Sequence, residues 1–399
     1  MFRTLTRIPL FTRLEAKDTE FLVSSGSGPR LSLYLPFDKS WREPLEDKIL
    51  LRDLRRDALL ALENQGTFTT DAEALLAAID SLLSEPDASR FHGQGLALFT
   101  DGIRSLTLLL PQAPQAAVQV DVRFRLDGIL PQIQHRDRYS LLSLSQHQIR
   151  LWDCDGVAMR EISLEGLETD IRRTRHFQEA EYQALFHSNS SGHHGTMGHG
   201  QDSAHFATGP GDGKGLKQEI EGFFRQIDHG IQARLPATGV PLILAGVGFL
   251  LPIYRRVNTY KGLVEKDLPG HSGMLGTTDD LHARANALLA GREYEEKNVA
   301  LGYYVENLAR ARSCAGYTDV VPCAARNQLT HLFLPLGKTQ WGSYEPATGR
   351  TELHESFRPG SESLANLACI HALLGRAKVY SMPEKELPQG SGIAALYRT

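Results

Sequence analysis

Cysteine is scarce in this sequence, and the scarcity limits the chemistry the chain can perform. Only four cysteines occur, Cys154, Cys314, Cys323 and Cys369, and no two of them have the CxxC spacing. This pattern excludes a zinc ribbon, a thioredoxin-type redox site and a disulfide framework. The cysteine content is typical of a protein in a reducing compartment.

Long apolar runs and an excess of charge of one sign are also absent. The longest nearly apolar stretch, 240–254, is interrupted by Pro241, Gly246, Gly248 and Pro252 and is too short to span a bilayer. No apolar segment follows the first basic residues, so a secretory signal is not supported. Because the net charge is −4, any contact with nucleic acid must be local. We expect a cytoplasmic protein without membrane or DNA partners.

The length and the order of periodic segments predict three domains of an α/β protein. At roughly 150 residues a domain, the 399 residues supply two or three domains. The patterns place an α+β domain at 1–136, a middle domain at 137–275 and a C-terminal α/β domain at 276–399. No internal repeat of solenoid length is present.

Hydrophobic periodicity predicts the individual helices and strands. The predicted helices cover 44–66, 69–86, 214–235, 279–290, 294–312 and part of 362–374. The predicted strands cover 31–35, 96–99, 105–110, 118–124, 139–145, 148–152, 241–247, 329–334, 377–380 and 392–397, and a further hairpin turns at 346–349. The run 241–247 is apolar throughout, which indicates a central strand covered on both faces.

A glycine- and histidine-rich segment, 187–215, interrupts the middle domain. It contains eight glycines, five histidines and almost no aliphatic side chains, so we expect a long mobile loop. Imidazoles bind zinc, copper or nickel, but the spacing of these histidines matches no closed structural zinc site. The sequence therefore assigns no metal ligands, and weak metal binding by the loop stays an alternative.

Familiar catalytic and nucleotide-binding motifs are incomplete. Lys214 is followed by Gly215 where a phosphate-binding loop needs Ser or Thr, and 245–248 lacks the third glycine of a dinucleotide fingerprint. The glycines of 245–248 are better explained by a tight turn after the strand. No GxSxG elbow is present, and the pair Asp153 and Asp155 is typical of a turn. We expect no cofactor.

Two basic clusters are candidates for binding RNA. Arg172, Arg173 and Arg175 form one cluster, and Arg255 and Arg256 lie near Tyr260 in the other. Arginine beside tyrosine can pair with phosphates and stack on unpaired bases. A solvated basic surface explains the same pattern equally well, so both interpretations stay open.

Four segments carry a resemblance to a known family. The run 241–260, PLILAGVGFLLPIYRRVNTY, resembles the PLVLAGVxYLLPIYRxVNTY segment of the bacterial archaeo-eukaryotic release factors, the Pelota/Balon-like family. The segments 95–99, 137–152 and 390–398 are similar to the same family. Together these segments touch all three predicted domains.

The resemblance implies a ribonuclease-H-like middle domain and a C-terminal α/β/α domain like that of kink-turn-binding ribosomal proteins. It also implies a factor that binds the ribosomal A site in hibernation or rescue, beside elongation factor Tu or a related GTPase. Release factors carry Gly-Gly-Gln in the corresponding middle-domain loop, whereas this sequence has Gly198-His-Gly-Gln201. The N-terminal domain has no Asn-Ile-Lys-Ser motif for reading stop codons.

The candidate residues for ribosome binding combine the loop and the two basic clusters. They are His193, His194, His199, Gly200, Gln201, Arg172, Arg173, Arg175, Arg255, Arg256 and Tyr260. The leading hypothesis is a ribosome-associated factor without catalysis of its own. The alternatives are a peptidyl-tRNA or RNA hydrolase, for which Gln201 is the catalytic candidate, and a metal-binding module. A disordered insertion also explains the loop.

Overall fold

The computed structural model describes residues 9–24, 26, 28–37, 44–67, 69–85, 93–173, 212–236, 239–270, 277–310 and 312–398. The chain divides into two compact units. Met1–Asp137 and Ala290–Thr399 form unit 1, and Arg138–Leu289 forms unit 2. The three-domain division expected from the sequence stays a prediction.

The N-terminal part of unit 1 is a five-stranded sheet with helices. Its strands are β1 (Leu10–Phe11), β2 (Arg30–Pro36), β3 (Gly95–Thr100), β4 (Ser105–Leu110) and β5 (Ala117–Asp121). Its helices are α1 (Ala16–Val23), α2 (Pro44–Asn64), α3 (Thr69–Leu83) and the single turn α4 (Leu130–Ile133). The strand order is β1-β4-β3-β2-β5, and every neighbouring pair is antiparallel except β1 with β4.

The helical pattern of α2 shows why the sequence specifies this part of the fold. Leu51, Leu54, Ala58 and Leu62 recur every three or four residues, and all four are buried. Gly66 follows the helix with φ of 68°, a left-handed conformation that glycine adopts without strain. The predicted helix is therefore confirmed, as is the one that begins at Thr69.

The C-terminal part of unit 1 forms two further sheets. The elements after residue 289 are the second half of α7 (Thr278–Asn307), β11 (Ser313–Ala315), α8 (Tyr317–Ala325), β12 (Leu329–Pro335), β13 (Trp341–Glu345), β14 (Arg350–His354), β15 (Glu362–Ser363), α9 (Leu364–Leu374), β16 (Lys378–Met382) and β17 (Ala394–Tyr397). The strands form a four-stranded sheet, β11-β17-β12-β16, and a three-stranded sheet, β14-β13-β15.

The four-stranded sheet is the middle layer of an α/β/α sandwich. Leu332 and Leu334 of β12 pack with buried residues of α8 and α9 in one apolar cluster. Phe333, which points to the opposite face, packs with Ala300 and Tyr304 of α7 in another cluster. The sheet is thus covered on both sides, as the resemblance implied for the C-terminal domain.

Hydrogen bonds join the two sequence-distant parts of unit 1. The Asn366 side-chain amide donates to the Phe124 carbonyl and accepts from the Leu126 N–H. The Ser363 N–H donates to the Asp121 carboxylate at 3.0 Å, and Arg123 pairs with Glu362 at 2.7 Å. Residues 121–126 and the start of α9 are therefore held together by polar contacts around a shared core.

Unit 2 has a five-stranded sheet with helices. Its elements are β6 (Tyr139–Leu144), β7 (Ile149–Cys154), β8 (Met159–Ile162), α5 (Asp212–Gln232), β9 (Leu242–Val247), α6 (Leu250–Val257), β10 (Leu268–Gly270) and the first half of α7. The strand order is β8-β7-β6-β9-β10. The first three strands are antiparallel to one another, whereas β6, β9 and β10 are parallel. This order and polarity are those of the ribonuclease-H-like fold.

Both faces of the unit 2 sheet are covered. Leu142 and Leu244 pack against the apolar side of α5, whereas Leu141 and Ile243 pack on the other face with Leu281. The prediction of a central strand at 241–247 is therefore confirmed, since β9 lies between β6 and β10 and is almost wholly buried.

The structure corrects three expectations from the sequence. A single helix, α7, replaces the two helices expected at 279–290 and 294–312, because the exposed Gly291 does not interrupt it. Residues 212–215 belong to α5, so they are helical and not part of the loop expected over 187–215. The strand expected over 118–124 ends at Asp121. None of the described helices is long and apolar enough to cross a membrane.

Candidate functional site

The candidate residues from the sequence fall into two groups. Arg172, Arg173, Arg255, Arg256 and Tyr260 are described and belong to unit 2. The others lie outside the described residues, and they are Arg175, His193, His194, His199, Gly200 and Gln201. The site can therefore be built from its basic side chains and from the elements on either side of residues 174–211.

Arg172 and Arg173 lie in a turn of 3-10 helix, at positions 171–173, that is fixed by the buried Ile171. The two Arg172 nitrogens Nε and Nη2 donate to the Asp170 carboxylate at 3.1 and 2.8 Å. These bonds lower the pKa of Asp170. Arg173 donates to Glu168 at 2.9 Å. Both arginines are thus locally neutralised, and a phosphate bound here must compete with two carboxylates.

Helix α6 carries the second basic cluster at its C-terminal end, where positive charge interacts favourably with the helix dipole. The helix follows β9 through a short turn that contains Gly248, so the turn expected after the strand is confirmed. Gly246 lies within β9 itself, with φ of 148°, and a Cβ there would lie 2.2 Å from the Leu144 carbonyl oxygen. Glycine is therefore required in the strand, whereas a Cβ on Gly248 would meet nothing among the described residues. Phe249, which precedes the helix, is 39% exposed.

The Arg255 guanidinium is hydrogen-bonded within unit 2. Its guanidinium donates to both carboxylate oxygens of Asp267 at 2.5–3.1 Å. It also donates to the carbonyls of Val264 and Glu265 at 2.6 and 2.7 Å. The side chain therefore holds the segment 264–267, which leads into β10, in place. Few of its N–H donors remain for a ligand.

Arg256 points away from these contacts. Its side chain is 58% exposed, and its nearest carboxylate is Glu221 on α5 at 3.6 Å. Glu221 also lies 3.7 Å from Arg225, one helical turn further along α5. Two arginines thus share one carboxylate, which leaves a local charge of +1. Arg225 was not among the candidates from the sequence, although its spacing of four residues from Glu221 predicts a shared helix face.

A buried carboxylate holds α5, α6 and the following loop together. Asp228 is 3% exposed and accepts a hydrogen bond from the Tyr254 hydroxyl at 3.1 Å. It also accepts from the Thr259 N–H and hydroxyl at 3.2 and 2.5 Å. Burial raises the pKa of Tyr254 far above its usual range. Asp228 therefore fixes the position of Arg256 by fixing the helix and loop around it.

Tyr260 has its hydroxyl occupied within the fold. The phenol donates to the Val240 carbonyl at 2.7 Å, and its ring packs against the apolar cluster of unit 2. The hydroxyl is therefore bound to backbone, and stacking on a base would require a face of a ring that is already partly buried. The structure places Tyr260 as a residue that positions the loop after α6.

Of the acidic pair singled out in the sequence, Asp153 lies within β7, and Asp155 begins the turn that follows it. One Asp155 oxygen accepts from the N–H groups of Val157 and Ala158 at 2.9 and 2.7 Å, and the other accepts from Arg160 at 3.2 Å. This confirms the turn expected from the sequence. Within the described ranges, no three His, Cys, Asp or Glu side chains are grouped so that they could hold a metal ion.

Comparison with known proteins identifies the middle of the chain. Residues 139–291 match the model of bacterial archaeo-eukaryotic release factor family 7, which confirms the family inferred from the sequence. This match contains the whole unit 2 sheet. No curated protein sequence matches the chain.

Solved structures of translation factors show a distant likeness. The archaeal termination factor aRF1 is 14% identical, with 96% of each chain covered and a TM-score of 0.22. The S. cerevisiae protein Dom34, a termination-like factor of RNA quality control that interacts with Hbs1, is 11% identical, with 77% of this chain and 74% of Dom34 covered and a TM-score of 0.38. Archaeoglobus fulgidus Pelota is 12% identical over 76% and 79% of the two chains, with a TM-score of 0.30. Scores this low do not establish a shared arrangement of the whole chain.

Proposed function

We propose that this chain is a ribosome-associated factor, because residues 139–291 belong to bacterial archaeo-eukaryotic release factor family 7. The family match is the observation that carries the proposal. It includes the position, between β8 and α5, of the segment that ends in Gly198-His-Gly-Gln201. The proposed site is the ribosomal A site, and the proposed setting is hibernation or rescue in the cytoplasm under stress.

Reading of stop codons is not part of the proposal, because the sequence has no Asn-Ile-Lys-Ser motif. The proposed partners are ribosomal RNA and elongation factor Tu or a related GTPase. The proposed RNA contacts are Arg172, Arg173, Arg175, Arg256 and the loop residues His193, His194, His199, Gly200 and Gln201. Arg255 and Tyr260 act by positioning, because their polar groups are bonded within unit 2.

Sedimentation of the full chain with ribosomes tests the proposal. Binding through arginine–phosphate pairs releases counterions, so ribosome association should weaken steadily as salt is raised. The measurement is the fraction of tagged protein that sediments with ribosomes from growing and stationary cells over a salt series. Absence of the protein from the ribosomal fractions under every growth condition would refute the proposal.

Hydrolysis of peptidyl-tRNA is the second candidate, and the Gly200-Gln201 pair favours it. A glutamine can orient the attacking water, so Gln201→Glu should abolish peptidyl release while ribosome binding is kept. Gln183→Glu, in the same segment, is a control with the same charge change. A nuclease of the ribonuclease-H type is less compatible, because β6 reads Tyr-Ser-Leu-Leu-Ser-Leu and brings no carboxylate to hold magnesium.

A further inference from the structure

We propose that Arg326, Arg376 and Arg398 form a surface of unit 1 that binds the phosphates of RNA. The proposal rests on the proposed function for the choice of RNA as the polyanion. The three arginines come from different parts of the chain: the turn after α8, the turn after α9 and the residue after β17. They were not among the candidates from the sequence.

Two helices end side by side at this surface. The N–H groups of Asn327 and Gln328 donate to carbonyls of the last turn of α8, and those of Arg376 and Ala377 do the same for α9. Each chain reversal passes through a residue with φ of 58°, Asn327 in one turn and Arg376 in the other. The two turns therefore have the same backbone form.

Short contacts bring the three arginines together. A Cβ on Gly375 would lie 2.3 Å from the Asn327 side-chain oxygen, so the two turns touch. The Arg398 guanidinium donates to the Gly375 carbonyl at 2.7 Å, and its backbone N–H donates to Gln328 at 2.6 Å. Arg326 and Arg376 are the chain neighbours of Asn327 and Gly375. The three residues therefore lie on one continuous stretch of backbone surface, and the Arg326 guanidinium lies against Gly349, in the turn between β13 and β14.

The patch is an uncompensated positive charge on a chain whose net charge is −4. All three arginines are exposed, and among the described residues no carboxylate lies within ion-pairing distance of any of them. The arginines of the first candidate site differ, because each faces Asp or Glu. The adjacent Arg350 pairs with Glu352 at 3.0 Å.

The conformation of Arg376 is a second, independent observation. A left-handed φ is unfavourable for a side chain with a Cβ, and Gly or Asn is the usual residue at this position after a helix. Asn327 follows that preference in the parallel turn, whereas Arg376 does not. Strain of this kind is found where a side chain has a function.

Stabilisation of the helix ends is the competing explanation. A cation near a helix C-terminus interacts favourably with the dipole, which accounts for positive charge at Arg326 and Arg376. Arg398 follows a strand, and its guanidinium also donates to the carbonyl of Gly375, the C-cap residue of α9, so this one contact belongs to the helix end. Guanidinium groups pair with phosphate oxygens through two parallel hydrogen bonds, and three such groups suit a chain of phosphates better than a single anion.

The test compares two double variants of the full chain that lose the same charge. Arg326→Gln with Arg376→Gly removes two of the three guanidinium groups and relieves the left-handed φ. Arg52→Gln with Arg56→Gln is the control on α2, where Arg56 pairs with Asp53. Binding of a labelled poly(U) oligonucleotide is followed by fluorescence anisotropy over a salt series, and the melting temperature of each protein is measured.

We expect the Arg326/Arg376 variant to bind RNA about tenfold more weakly, with a salt slope smaller by about 1.4, which corresponds to two lost phosphate contacts. Its melting temperature should not fall, because Arg376→Gly removes strain. The control should bind as the parent chain does. Equal binding by the two variants, a loss of binding together with a lower melting temperature, or no RNA binding by the parent chain would each overturn the proposal.

The ribosome sedimentation experiment separates this proposal from the proposed function. If both double variants sediment with ribosomes and bind poly(U) as the parent does, the arginine surface is refuted and the ribosome factor stands. If the parent does not sediment with ribosomes, the proposed function fails, and the poly(U) titration still decides the surface. If the parent binds labelled polyglutamate and not poly(U), and the Arg326/Arg376 variant loses that binding, the surface binds an acidic protein and the proposal of RNA is refuted.

Discussion

Two neighbouring arginines, Arg255 and Arg256, should respond to substitution in opposite ways. Arg255→Gln removes charge-assisted hydrogen bonds to Asp267 and to two backbone carbonyls, and it leaves the Asp267 carboxylate without that partner. Bonds to charged groups contribute roughly 1.5–3 kcal/mol each, and partial exposure reduces that contribution. We expect unit 2 to lose about 2 kcal/mol of stability, a fall in melting temperature of about 4–8 °C.

Arg256→Gln should leave the stability nearly unchanged and weaken ribosome association. Its only described ion pair is with Glu221 at 3.6 Å on the surface, so the stability should change by less than about 0.5 kcal/mol. If Arg256 contacts RNA phosphate, its loss should weaken ribosome association and reduce the salt slope by about 1. Arg255→Lys keeps the charge but loses the paired donors, so it should be destabilised nearly as much as Arg255→Gln.

Thermal unfolding and ribosome sedimentation of the three variants are the two assays. The expected result is that the two Arg255 variants lose thermal stability, whereas Arg256→Gln loses salt-sensitive ribosome binding. A stable Arg255→Gln protein that no longer sediments with ribosomes would refute it, because the guanidinium would then act on RNA and not on the loop. Equal behaviour of the two glutamine variants would refute it as well.

Three further predictions concern stability and metal binding. Burial raises the pKa of Asp121 to about 6 from its ordinary 3.8, so ionisation costs the folded state on the order of 3 kcal/mol as pH rises from about 4 to 6. Asp121→Asn should remove that fall from a curve of denaturation midpoint against pH, and a curve parallel to the parent's would contradict the burial argument. Gly246→Ala should destabilise the chain by about 2 kcal/mol or more, since its Cβ meets the Leu144 carbonyl, whereas Gly222→Ala inside α5 meets nothing and should be stabilising in the same melting assay. Calorimetry with zinc should show only weak binding by the 187–215 segment, and submicromolar binding of defined stoichiometry would favour the metal-binding module.

Long amphipathic and long apolar segments were predictable because the spacing of their apolar residues shows which faces are buried. The stripe Leu51, Leu54, Ala58 and Leu62 has the helical period, and the continuous run of β9 is that of a strand with two covered faces. Short elements were not predictable. Helix α8 has nine residues with Pro322 inside, and β10 has three residues, so tertiary packing decides their conformation.

Gly291 shows why the two expected helices are one. A glycine in a helix costs roughly 1 kcal/mol relative to alanine, a penalty that ends a helix only if packing on both sides is weak. In α7 the residues before it bury Leu281 and Ala285, and those after it bury Ala300 and Tyr304. Packing at both ends therefore outweighs the local cost, which no single-residue propensity could indicate.

The functional residues were harder to predict than the fold, because charge alone does not distinguish a binding residue from a structural one. Arg255 and Arg256 are identical neighbours in the sequence, yet a rotation of about 100° around α6 sends one toward Asp267 and the other toward solvent. The distinguishing quantity is the number of partners each guanidinium already has. By that measure Arg326 and Arg376, whose side chains have no hydrogen bond or ion pair among the described residues, are stronger candidates for phosphate binding than the two basic clusters, whereas Arg398 faces no carboxylate but already donates to the carbonyls of Leu329 and Gly375.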